Sequence, residues 1–148
     1  MSDVFGVAAT GAIALSANVA KTVVQITAPP NHRVKIIGWG VFFDGTNTVG
    51  QPVRVRLQRQ TTAGTMSALT LNKTTPRGES ILSVGQQNAT VEPSASDILE
   101  QATVHPQQGY EVKFPPGQEL IIDGNGRVGM ELLTVAAVNA TVKIFFEE

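Results

Sequence analysis

The chain has 148 residues and a mass of 15.7 kDa, the size of one ordinary domain, which argues against a two-lobed enzyme with its site in an interdomain cleft. With 42% hydrophobic and 16% charged residues, against roughly a quarter charged in typical soluble proteins, it is too apolar to be a disordered polypeptide. There is no cysteine, so disulfides, zinc–thiolate sites and thiol nucleophiles are excluded, and a net charge of -1 offers no overall attraction to nucleic acid or anionic lipid.

Residues 1–20 are rich in Ala, Gly and Val and have no strong period. They do not read as a secretory leader: the one charge before Lys21 is Asp3, and Gly6 and Gly11 interrupt the apolar stretch. No stretch reaches the roughly 18 apolar residues of a membrane span. The segment is expected to be an extended N-terminal arm that packs on a neighbour, with Val4, Phe5 and Val7 as its apolar anchors, ahead of a single domain over 21–148. The blander reading is a frayed tail with one edge strand.

From residue 20 onward the chain reads as strands. The first is predicted over 22–27, closed by Ala28-Pro29-Pro30-Asn31. The next covers 33–43, rich in β-branched and aromatic residues, with Gly38 and Gly40 flanking Trp39 as the mark of a bulge or close crossing, and ends in a turn over 44–47. Pro52 to Arg59 alternates most clearly, with Val53, Val55 and Leu57 on one face and Arg54, Arg56 and Arg59 on the other.

Further strands are predicted over 66–71, 81–84, 103–105, 110–114, 119–123, 127–134 and 140–146, with turns over 75–78 and 115–118. Asp123-Gly124-Asn125-Gly126 reads as a tight hairpin between two of them. The Ser/Gln/Asn-rich stretch 78–101 reads as a long excursion, with a short helical turn at Ser96 to Gln101. The sum is an all-β chain, an antiparallel jelly-roll-like β-sandwich of about eight strands.

Catalytic chemistry finds no foothold in this pattern. His32 and His105 are 73 positions apart, with no H-x-H pair and no nucleophile elbow, so a metal site would depend on chance geometry with carboxylates such as Glu111 or Glu119. Asp97 and Glu100 look like the solvated side of a helical turn rather than a glycosidase pair, and Asp123 to Gly126 lacks the ligands of a calcium loop. No catalytic residue, cofactor or metal is expected. The one basic cluster is Arg54, Arg56 and Arg59, extended by Arg33 or Lys35 if these lie on an adjacent strand. It is a candidate contact for an acidic protein surface, and without interleaved aromatics a poor one for nucleic acid; an ordinary solvated face, or pairing with Glu across strands, is the plainer explanation.

Three stretches carry a family resemblance: Lys21 to Lys35, Pro52 to Met66 and Val138 to Glu148. In pattern and phrase they resemble the small jelly-roll decoration, or cement, proteins on the capsids of tailed bacteriophages, and the likeness runs over most of 20–148. The resemblance implies a non-enzymatic virion protein, made in the host cytoplasm, that sits as a homotrimer on the outer capsid surface, contacts the major capsid protein and stabilises the expanded shell. It implies no role in binding nucleic acid or membrane and brings no catalytic residues. The alternative is a carbohydrate- or receptor-binding jelly-roll module of a phage fibre or tail, which would need an exposed aromatic platform; Trp39, in the most apolar strand, is expected to be buried.

Overall fold

The computed structural model describes residues 4–44, 51–75 and 79–148. The expected turns at 45–47 and 76–78, and the first three residues of the expected arm, lie outside them. The described residues form thirteen strands and no helix: β1 (Phe5–Ala9), β2 (Ile13–Leu15), β3 (Lys21–Thr27), β4 (Val34–Asp44), β5 (Val53–Gln60), β6 (Thr65–Leu69), β7 (Asn72–Lys73), β8 (Val84–Val91), β9 (Ala95–Val104), β10 (Tyr110–Lys113), β11 (Leu120–Ile122), β12 (Arg127–Leu133) and β13 (Val138–Glu147).

These strands build two antiparallel sheets stacked as a sandwich. The first runs β10-β4-β13-β1-β7, and the second runs β6-β8-β3-β12-β5-β9. The count exceeds the expected eight partly because two columns are broken, and partly because strands such as β1, β7 and β8 form where none was expected. β10 and β11 both pair with the same side of β4, interrupted by the Pro115-Pro116-Gly117 turn. In the same way β1 and β2 lie end to end along β13, interrupted at Thr10, whose Oγ1 accepts the Val142 N–H at 3.2 Å.

Alternation fills the core from both sides. Val138, Ala140, Val142, Ile144 and Phe146 of β13 face inward with Val34, Ile36, Trp39 and Val41 of β4. They meet Val53, Val55 and Leu57 of β5 and Val128, Met130 and Leu132 of β12 from the other sheet. Trp39 is 1% exposed, as its apolar strand predicts. Losing a ring as deeply packed as Phe146 would cost about 3–5 kcal/mol. The bulge anticipated near Gly38 is present: the β13–β4 register slips between Phe145 and Phe146, opposite Gly38 and Ile36.

Several expectations are corrected. The N-terminal segment does not stand off as an arm; β1 and β2 extend the first sheet of their own domain, and Ala8, Ile13 and Leu15 join the core. Gly6 permits this, since a Cβ there would stand 2.6 Å from Cζ of Phe146, so no larger residue lets β1 lie so close. The stretch 78–101 is no excursion, because β8 and most of β9 occupy it. Ser96 to Gln101 is strand, not helix: pairing with β5 overrides the local capping signal, and two register shifts record the misfit. The strand expected over 81–84 begins only at Val84.

Asp123 to Gly126 does close a turn, with the Gly126 N–H donating to the Asp123 carbonyl at 2.8 Å. It is not a hairpin, because β11 pairs with β4 in one sheet while β12 pairs with β3 and β5 in the other. The turn is a corner that carries the chain from sheet to sheet.

Candidate interaction surfaces

The two sheets present outward faces built on different chemistry. On the second sheet, β5 and β6 lie at opposite sides of β3 and β12, yet only residues 61–64 join them; β8 and β9 are joined across the same gap by 92–94. The two connectors therefore cross the sheet side by side as a strap, held together by the Thr61 N–H donating to the Ser94 carbonyl at 2.7 Å and the Ser94 N–H donating to Thr62 Oγ1 at 2.9 Å.

Beneath the strap lies a buried polar network. Gln25 Nε2 donates to Gln60 Oε1 at 2.6 Å and to the Thr62 carbonyl at 3.2 Å, and Gln60 Nε2 donates to Thr22 Oγ1 at 3.1 Å. The Glu92 carboxylate clamps the edge of the network, accepting from the Thr22 N–H at 2.8 Å and from Thr22 Oγ1 at 2.7 Å. Gly129 makes room for the Gln60 amide, which would stand 2.2 Å from any Cβ placed there. Sequence reasoning missed this network. Its faint signal was Gln25 in an otherwise apolar strand, but what buries it is a strap made by residues far along the chain.

The arginines of β5 are absorbed by the same sheet. Arg54 pairs with Glu131 at 2.9 Å, whose other oxygen accepts from Gln58 Nε2 at 3.4 Å. Arg56 Nε donates to Gln101 at 2.7 Å. Arg59 does not share their face: it reaches Asp97 at 3.6 Å and donates to the Ile121 carbonyl at 3.1 Å, bridging toward β11 in the other sheet. The row is thus cross-strand pairing rather than an open basic patch. Lys35 does not extend it, since β4 belongs to the first sheet, where Lys35 stands 4.0 Å from Glu147.

The outward face of the first sheet is aromatic and basic. Phe42 is 37% exposed, and Phe145 is half-buried between two ammonium groups, Lys113 Nζ at 4.7 Å and Lys143 Nζ at 5.3 Å from its ring centroid. Lys143 also stands 5.3 Å from the Phe42 ring and 3.1 Å from Glu111. The three expected anchors divide here. Val4 is buried, bonded through its backbone to Glu148, and belongs to the interior. Phe5 and Val7 are half-buried on the outward face, opposite Glu147 and Phe145 in the ladder with β13.

The two histidines lie in separate loops: His32 is exposed just before β4, and His105 accepts the Gln107 N–H on Nδ1 at 3.1 Å. Glu119 caps its own turn by accepting the Gly117 N–H at 2.8 Å. Among the described residues no group of three or more His, Asp and Glu is placed to hold a metal ion. Asp97 and Glu100 both sit on β9.

No family model matches this chain, and no curated protein and no solved structure is detectably similar to it. Its surfaces must therefore be read on their own terms.

Proposed function

We propose that the chain is a non-enzymatic structural protein of a phage virion, a decoration protein that sits as a trimer on the outer surface of the head, contacts the major capsid protein and stabilises the shell. The viral context rests on the resemblance of residues 21–35, 52–66 and 138–148. The observation that carries a binding role is the outward face of the first sheet, where Phe42, Phe145, Phe5 and Val7 stay at the surface among Lys113 and Lys143. Apolar surface rimmed by charge is the usual composition of a protein-binding patch. A jelly-roll connection of the strands belongs to the same proposal.

Add-back to stripped phage heads tests the reading. Heads lacking the protein should lose resistance to heat and regain it when the purified chain is returned, because a ligand that binds only the intact shell stabilises it by mass action. Unchanged resistance, with no protein retained on the heads, overturns the proposal.

One observation favours a second reading, a sugar- or receptor-binding module. Tyr110 and Phe42 are both exposed, and Tyr110 packs on the buried Trp39 with ring centroids 5.3 Å apart. A sugar stacked on Tyr110 would perturb Trp39 emission through that contact; emission unmoved across a glycan panel removes this reading.

A further inference from the structure

Among the described residues the second sheet ends in two unpaired edges, and their directions are matched. All of its pairings are antiparallel, and it has six strands, so β6 at one edge and β9 at the other run in opposite directions. A second copy turned about an axis roughly parallel to the strands keeps the same strand directions. Its β6 then meets β9 of the first copy antiparallel, the more stable kind of ladder. With an odd number of strands the same operation would bring the edges together parallel.

The protection of the two edges is unequal. Neither Thr65–Leu69 nor Ala95–Val104 contains proline, lysine or arginine, and both have register shifts against their inner neighbours, but β9 carries Asp97 and Glu100 whereas β6, only five residues long, carries no charge. Among the described residues nothing pairs with the outer side of either strand. The β9 edge carries an exposed apolar side chain, Ile98 at 54%, and Val91 of β8, the strand next to β6, is 58% exposed beside Thr65. An apolar groove of about 300 Å³ lined by Ala68, Leu69, Leu71, Ile81 and Val84 runs beside β6.

Charge selects between the two ways the edges can be used. Pairing β9 with β9 of a second copy would gather Asp97 and Glu100 from both chains along one short ladder, and like charges close across strands are destabilising. β6 carries no charge, and Asp97 of β9 is already held by Arg59 of its own chain. We propose that copies of this chain join head to tail, β9 of one beside β6 of the next, so that the second sheets continue around a closed ring. The inference deepens the reading of the chain as a self-assembling shell protein and rests on it for the trimer. An interface of this heterologous kind closes into a ring when the rotation per copy allows it.

Two exposed-side-chain variants and their mixture test this. The wild-type chain should give a concentration-independent mass of about 47 kDa by light scattering, three times 15.7 kDa. Ile98→Lys on β9 and Ser67→Lys on β6 should each fall to 15.7 kDa, with unchanged circular dichroism. Mixed at equal amounts, the two variants retain one sound β9 and one sound β6 between them, and should form a dimer of about 31 kDa, twice 15.7 kDa, and nothing larger. Ala95→Lys replaces Ile98→Lys if the latter does not fold. A monomeric wild type overturns the inference, as does a Ser67→Lys chain that still assembles, the outcome of β9 pairing with itself. Shell add-back is scored separately: a ring that does not bind heads removes the virion reading and leaves the edge pairing, and a monomer that binds heads does the reverse.

Discussion

The two outward faces of this sandwich invert the usual association of residue type with position. On the second sheet glutamines and a threonine are withdrawn from water under a strap, with the exposed Glu92 of the strap at their edge, and Gln60 is 4% exposed. On the first sheet phenylalanines remain at the surface under lysine side chains. The difference is one of topology. The second sheet is crossed by the connectors of its own strands, and the polar groups beneath bond to one another and to the strap, with Gln25 Oε1 left without a partner. No described segment crosses the outward face of the first sheet, so its apolar residues are left for something else. Buried polarity here marks a face that is used up, and exposed apolarity a face that is available.

The largest effect should come from opening the used-up face. Gln60→Ala removes the acceptor of the 2.6 Å bond from Gln25 and the donor to Thr22, leaving buried polar groups unpaired beside a small void. The expected loss is about 2–4 kcal/mol, read as a lower urea midpoint at unchanged slope. A loss under about 0.5 kcal/mol, of the size found for ordinary surface changes, would mean that water reaches the network and that the strap covers nothing of consequence.

That network also shows where sequence reasoning stops. The strand over 53–60 was legible because its inward residues alternate and its partners need not be known. β9 was not: Ser96 and Asp97 resemble a helix cap, and only the pairing of Ala95–Val104 with β5, some forty residues earlier, makes them strand. β1 was obscured because small residues such as Gly6 and Ala8 give little period, although the smallness of Gly6 is what lets the segment dock over Phe146. The aromatic face did leave a sign, in the dyads Phe42-Phe43 and Phe145-Phe146. In a regular strand neighbouring side chains point to opposite faces, so each dyad sends one ring inward and one outward. Read for parity as well as for hydrophobicity, the two pairs identify the first sheet as the one with surface rings.

Opening the available face should cost little stability and much binding. Phe42→Ser removes a ring already 37% exposed, and the expected loss in folding stability is about 1 kcal/mol. Retention of the variant on stripped heads should fall at least about tenfold, since aromatic anchors dominate the energetics of such patches. Equal retention of wild type and variant would show that binding uses another surface, such as the loops or the strap.

The smallest effect should be that of Arg56→Ala, and it separates a basic cluster that recognises a partner from one that serves its own sheet. Arg56 is half-buried, and its Nε donates to Gln101 on the neighbouring β9, an exposed contact of the kind worth a few tenths of a kcal/mol. Folding stability should move by less than about 0.5 kcal/mol, and head binding should be unchanged at low and high salt alike. Arg54→Ala would confound the comparison, because it strips Glu131 of its ion-pair partner within the sheet. If Arg56→Ala instead weakens binding, and does so more at low salt, the strapped sheet is the one that meets the shell. The phenylalanines of the other sheet would then be surface residues with no partner to account for them.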